Sequence, residues 1–247
     1  MNLHVISTGS KANLYALHAG NETLLLDAGV SGRRLINSVE DWNKVCGCLV
    51  THEHQDHARG IPDLLRMGVP VYASQGTIDA LSADADLTRL NRCEARSTFS
   101  VGQFTVLPFD CKHDAPEPLG FVVRYEPTGE TLLYATDTYY LPHRFPWMNY
   151  WIVECNYIED IMNQRIKDDP ASAFIRKRLM TSHMSLRRLL DALKANDLSK
   201  TRKIVLVHLS DGNSDERQMI ASVRAQTGIE TVSAINGSVI ELEMATF

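Results

Sequence analysis

The sequence predicts an α+β fold, two mixed β-sheets flanked by helices, built as one domain over residues 1–247. Three observations predict it. Short apolar runs bounded by turn residues crowd the first half of the chain, helical stretches come late, and strands return after them. The strict strand–helix alternation of a doubly wound parallel sheet is missing. Finally, 247 residues with 44% hydrophobic and 22% charged side chains suffice for a large core without disulfides or a structural metal.

In chain order, Leu3–Ile6, Leu14–His18, Thr23–Leu26 and Cys46–Val50 read as strands. Ser31 is placed to cap a helix running to about Trp42, with Leu35, Ile36 and Val39 on one face. Gly60–Met67 reads as a short helix and Val69–Ala73 as the next strand. Gln103–Phe109, Gly120–Tyr125 and Thr131–Ala135 follow as strands, the last two joined by a turn at Pro127, Thr128 and Gly129. Tyr150–Glu154 and Lys203–Val207 are strands rich in β-branched and apolar residues. Between them Ala171–Ala195 is mostly helical; Ser214–Ala225 is a helix and Ser238–Leu242 a closing strand. Pro142, Pro146 and Trp147 mark a loop whose aromatics suit either a lid or a homodimer interface.

Composition narrows the function. The net charge of -5 argues weakly against extended DNA wrapping but leaves open a small phosphodiester held at a cationic centre. Five scattered cysteines, without zinc-finger spacing, fit a reducing cytoplasm. The opening MNLHVISTGS has no basic stretch followed by a long apolar run, and no segment suits a membrane span. The expectation is a cytoplasmic protein without a membrane partner.

The run THEHQDH, Thr51 to His57, directly follows a strand. Three histidines and an aspartate are costly to desolvate together, and make sense where each faces a cation; neutral imidazole and carboxylate both suit zinc. His52 and His54 share parity on an extended segment, while Asp56 and His57 belong to the turn into the next helix. Two adjacent sites are the natural reading. Further ligands must come from distant sequence, and His113, Asp137 and His208 each lie where a strand stops. His183, just before an amphipathic helix, either enters the site or serves as a plain cap or surface residue. His4, His18 and His143 read as structural or solvent-exposed.

HxHxDH at a strand end, with later His, Asp and His at strand ends, resembles the metallo-β-lactamase superfamily. Finer motifs, STGSKAN, LLLDAGVSGRRL, HDAPEPLGF, VECNYIEDIM, SHMSLRRLLDAL and VHLS, resemble its YycJ/WalJ-type branch, related to tRNase Z-type phosphodiesterases. The resemblance implies an αββα sandwich with a dinuclear site at one edge. It implies His52, His54 and His113 as ligands of one divalent ion, Asp56, His57 and His208 of the other, and Asp137 as the bridge. The ions would be zinc, with manganese as the alternative. His54 stands where flavodiiron relatives place a Glu, which disfavours redox chemistry, and true β-lactamases generally lack the bridging Asp.

The implied activity is phosphodiester hydrolysis by metal-activated hydroxide, as a nuclease or exonuclease on nucleic acid. A cyclic-nucleotide phosphodiesterase is the alternative, followed by a thioester or lactone hydrolase and a non-catalytic nucleotide-binding protein. Asp56 would orient the nucleophile or accept its proton, and His183 would contact the phosphate or protonate the leaving oxygen. Ser10 and Asn13, in the Ser/Gly loop, and Asn156, at a strand end, are candidate substrate contacts. Arg33 and Arg34, with Arg176, Lys177 and Arg178, are the notable basic groupings; a nucleic-acid track requires them on the metal side.

Overall fold

The computed structural model describes residues 1–81, 90–168 and 173–242. Positions 171 and 172 of the predicted helical stretch lie outside the described residues. The elements are β1 (Asn2–Ser7), β2 (Leu14–Ala19), β3 (Glu22–Leu26), α1 (Gly32–Ile36), β4 (Val45–Leu49), α2 (Gln55–Ala58), α3 (Ile61–Arg66), β5 (Val71–Ala73), α4 (Gln75–Ala80), β6 (Leu90–Arg92), β7 (Phe99–Val101), β8 (Phe104–Asp110) and β9 (Leu119–Tyr125). There follow β10 (Glu130–Ala135), β11 (Tyr150–Glu154), α5 (Glu159–Asp168), α6 (Ala173–Ser182), α7 (Leu186–Lys194), β12 (Lys203–Val207), α8 (Glu216–Thr227), β13 (Glu230–Ser233) and β14 (Val239–Glu241). Two seven-stranded mixed sheets result, ordered β14-β1-β2-β3-β4-β5-β6 and β13-β12-β11-β10-β9-β8-β7. The chain divides into two compact units: Met1–Asp110 with Ala115–Glu130 and the segment from Ile235, and Cys111–Asp114 with Thr131–Ala234.

In the first unit, β14, β1, β2 and β3 pair antiparallel, and β3 to β6 pair parallel. The apolar residues of β4 suit a strand covered on both faces; Cys48 and Leu49 are fully buried. Leu35 of α1 and Ile61, Leu64 and Leu65 of α3 join the core formed by Leu14, Leu25 and Val50. The predicted helix from Ser31 to Trp42 is cut short. It ends at Ile36, because the Ser38 hydroxyl donates to the Leu35 carbonyl at 2.6 Å and competes with the helical ladder. A separate 3₁₀ turn, Trp42–Lys44, starts at Asp41, whose side chain accepts from Asn43 N. Ser31 makes no side-chain cap bond, and Ile36, predicted on the buried face, is 52% exposed.

In the second unit, β10 to β13 form a parallel ladder in which Ala135 aligns with Val153 and Glu154 with Val207. This register brings the carboxyl ends of β10, β11 and β12 to one edge. Helix α7 buries Leu186, Leu189 and Leu193, and is capped by Ser185, whose hydroxyl accepts from Arg188 N. Asp215 caps α8, and Gly228, at φ 70°, ends it in the left-handed conformation. The predicted loop aromatics divide: Trp147 is 58% exposed, whereas Phe145 is buried. Among the described residues, no helix is long and apolar enough to cross a membrane.

Candidate metal centre

Parallel pairing of β3 with β4 sets Asp27, just past β3, beside the start of THEHQDH. Asp27 is fully buried and held at φ 59°. Non-glycine residues seldom occupy that region, and asparagine and aspartate do so most readily. Its Oδ1 accepts from Thr51 N at 2.8 Å and Thr51 Oγ1 at 2.9 Å, and its Oδ2 lies 2.8 Å from His57 Nδ1. With its proton committed to Asp27, Thr51 Oγ1 is the acceptor for His52 Nδ1 at 3.0 Å. One carboxylate thus fixes His57 directly and His52 through a hydroxyl. The His52 ring lies 4.6 Å from that of His54 and 4.3 Å from that of His57, centroid to centroid.

The Ser/Gly loop closes on the same segment. Asn13 is buried; its N–H donates to the Asp56 carbonyl at 2.7 Å, and its Nδ2 lies 3.0 Å from both the Gly9 carbonyl and His57 Nε2. Gly29 N donates to the Asn13 carbonyl at 2.8 Å, and a Cβ at Gly29 would overlap the Asp56 carbonyl. Asp56 Oδ2 is 3.5 Å from His57 Nε2. Ser10 sits exposed in the loop.

The second unit gathers its residues from separate segments. Asp137 and His208 follow β10 and β12 at φ 47° and 56°, again in the left-handed region. His113 Nδ1 donates to the Ser182 carbonyl at 2.8 Å, and its Nε2 is 3.1 Å from Asp114 Oδ1 and 3.5 Å from Asp137 Oδ2. His208 Nδ1 is 3.0 Å from Glu154 Oε1 and 3.5 Å from Asp137 Oδ1. His183 Nδ1 is 2.7 Å from the same Glu154 oxygen. Glu154 Oε2 accepts from the backbone N–H of Thr138 at 3.1 Å and Met184 at 3.0 Å. Asp137, Glu154, His183 and His208 place one ligand atom each within 4.8 Å of the others. Asn156 Nδ2 donates to the His208 carbonyl at 2.9 Å.

Burial opposes the charge on Glu154, yet the His183 charge and hydrogen bonds from His183 and His208 hold its carboxyl below the usual range. Burial likewise pulls His183 down, but Glu154, by charge and hydrogen bond, and Asp137 push it up to about 9. The pairing with Glu154 therefore favours the charged form of His183. Burial lowers His113, only partly offset by Asp137 and the Ser182 carbonyl, and favours its neutral imidazole.

The predicted residues thus fall into two groups: His52, His54, Asp56, His57 and Asn13 in the first unit, and His113, Asp137, His183, His208 and Asn156 in the second. His183 does not cap α7; Ser185 does. His18 Nδ1 is 2.8 Å from Thr23 Oγ1, and the His18 ring lies against His4 at 4.1 Å, so these two serve the strands. Sequence reasoning missed Asp27 and Thr51, and gave Glu154 no task. Their signal is an ionisable or hydroxyl residue closing an apolar run, as in LLLD, CLVT and WIVE.

The donor set fits a metal. His52, His57, His113 and His208 each have Nδ1 engaged by a protein acceptor: a hydroxyl, a carboxylate, a carbonyl and a carboxylate. Metal-ligating histidines adopt this arrangement, because the engaged nitrogen fixes the tautomer and ring plane and makes the other nitrogen the ligand.

Comparison with known proteins agrees. A family model described as a beta-lactamase superfamily domain matches residues 22–209. A protein of Bacillus anthracis named exodeoxyribonuclease YycJ is 31% identical over 250 residues, spanning 92% of this chain and 91% of its own length. Exodeoxyribonuclease WalJ of Streptococcus pneumoniae is 25% identical over 226 residues, spanning 85% and 82%. The solved metallo-beta-lactamase fold protein YhfI from Bacillus subtilis superposes with a TM-score of 0.71 at 15% identity, covering 97% of this chain and 99% of its own.

Proposed function

The chain belongs to the beta-lactamase superfamily, and from that premise we propose that it is a metal-dependent phosphodiesterase acting on nucleic acid, an exodeoxyribonuclease like its YycJ and WalJ relatives. The tethering of four imidazoles through Nδ1 carries the reading. His52, His54 and His113 would hold one divalent ion, Asp56, His57 and His208 the other, with Asp137 shared. Zinc suits imidazole and carboxylate donors, and manganese is the alternative. Bound there, such ions lower the pKa of water from ~15.7 to near 7 and neutralise charge on phosphoryl oxygens.

The chain's own residues do the rest. Asp56 accepts the proton of the attacking water, held in place by its carbonyl's bond from Asn13. His183, charged at neutral pH, donates from Nε2 to the leaving oxygen while Nδ1 stays on Glu154. Glu154 remains anionic and stabilises that imidazolium. Ser10 is the loop residue exposed to meet a phosphate. Asn13 and Asn156, each hydrogen-bonded to ligand-bearing backbone, act as positioning residues. Free thiols at all five cysteines suit the reducing cytoplasm.

Single-stranded DNA, RNA and cyclic mononucleotides offered side by side with zinc or manganese test the proposal. DNA shortened from an end supports it; turnover of cyclic nucleotides alone contradicts it. His183→Ala should keep its metal content and lose turnover of substrates with poor leaving groups. Unchanged turnover removes His183 from the scheme.

A further inference from the structure

The chain leaving Asp137 runs into two tyrosines, and three contacts lock that segment in place. Tyr139 N donates to the Lys112 carbonyl at 3.0 Å, and Lys112 N donates to Thr138 Oγ1 at 2.9 Å, which stitches the Asp137 segment to the one carrying His113. Arg188 Nη1 donates to the Tyr139 carbonyl at 3.2 Å and the Met180 carbonyl at 2.7 Å, drawing α6 to the same corner. The Arg188 guanidinium also lies 5.1 Å from the centre of the Tyr139 ring. Tyr139 is therefore fixed. Tyr140 rests on it at 4.8 Å between ring centroids and is still 38% exposed, and Met180 is 37% exposed.

The same corner carries cations. Arg178 Nε is 3.5 Å from Asp114 Oδ2, yet 68% of the side chain is exposed; Arg176 and Lys177 are also exposed. Asp114 adjoins His113, so this basic turn of α6 is anchored one residue from a proposed ligand. Single-strand binding sites combine these two features: an aromatic face, which stacks any base, and basic groups that follow the phosphates. A duplex hides the base faces that such a ring needs.

Resting on the nucleic-acid reading above, we propose that the second unit carries a grip for single-stranded nucleic acid, in which Tyr140 stacks a base and Arg178 holds the adjoining phosphate beside the Asp137 and His113 segments. Trp147 is a built-in control. It is 58% exposed, but its backbone N–H meets the Asp197 carbonyl and its ring faces Lys200, partners outside the Tyr139–Arg188–Lys112 cluster.

The test measures binding of a labelled single-stranded thymidine oligomer with cleavage-resistant phosphorothioate links to the metal-loaded protein. Tyr140→Ala should weaken binding about tenfold, and Tyr140→Phe should restore it. Arg178→Ala should weaken binding and flatten the salt dependence by about 0.7 in log–log slope. Trp147→Ala should bind like the parent. Equal binding by Tyr140→Ala and the parent, equal losses for Trp147→Ala and Tyr140→Ala, or no binding by the parent would each overturn the grip. Parent turnover of bis(p-nitrophenyl) phosphate separates this from the broader reading. Turnover without oligomer binding sinks the grip alone; Tyr140-dependent binding without turnover sinks the hydrolase and keeps the grip.

Discussion

In the first unit, His52, His54, Asp56 and His57 lie within one short run, and Asp27 orients two of the imidazoles from a neighbouring strand end. In the second, His113, Asp137 and His208 come from three separate segments, and Glu154 holds His183 and His208 while accepting two backbone N–H groups. Both units tether imidazoles with a buried carboxylate at the end of an inner strand. They differ in what else the carboxylate supports. Around Asp27 the proposed ligands share one backbone segment, so their spacing is largely local. Around Glu154 the spacing depends on the parallel register of β10, β11 and β12 and on the turn before α7. Asp27 should therefore matter most for metal affinity, and Glu154 for both metal and fold.

The largest expected effect breaks the second tether. Glu154→Ala strands His183 and two backbone N–H groups in a fully buried setting and should cost about 3–5 kcal/mol of stability, with turnover abolished. Urea unfolding of the metal-free protein checks it. A loss no greater than that of an Asp27 variant would erase the contrast. Next, Gly29→Ala sets a methyl against the Asp56 carbonyl and should displace that proposed ligand, lowering both metal content and turnover.

Asp27→Asn is the sharper probe of the first unit, because asparagine tolerates the left-handed backbone that Asp27 occupies. It should weaken metal binding by roughly 10–100-fold and cost little folding stability, as read by competitive metal titration beside urea unfolding. Thr51→Val removes the hydroxyl that links Asp27 to His52 and lies 3.5 Å from His57 Nδ1, while leaving the direct Asp27–His57 contact, and should produce a smaller loss of affinity. Smallest is Ser185→Ala, which removes the α7 cap and should cost about 1 kcal/mol with metal content unchanged.

The same contrast explains what the sequence discloses. The first-unit candidates are legible as a group because they are contiguous: an HxHxDH run after an apolar strand has few other uses. His113, Asp137 and His208 are legible only as polar residues at strand ends, and their meeting in the second unit with His183 depends on strand order, which periodicity does not encode. Asp27 and Glu154 hide because a single acid closing an apolar run resembles an ordinary strand terminus. The left-handed backbone at Asp27, Asp137 and His208 is equally silent, since long-range contacts impose it. The strands predicted in the ladder, such as Tyr150–Glu154 and Lys203–Val207, match because each is a continuous buried run. Three-residue β6 and β7 are too short for a period-two pattern, and α1 ends early because one serine hydroxyl competes for its carbonyl.

Metal content of the purified, never-chelated protein, measured together with turnover of bis(p-nitrophenyl) phosphate, decides whether these imidazoles hold working metal. About two divalent ions per chain are expected, with turnover lost on chelation and regained when zinc or manganese is restored. A chain that binds neither ion, or that hydrolyses the diester equally well after complete chelation, would contradict it.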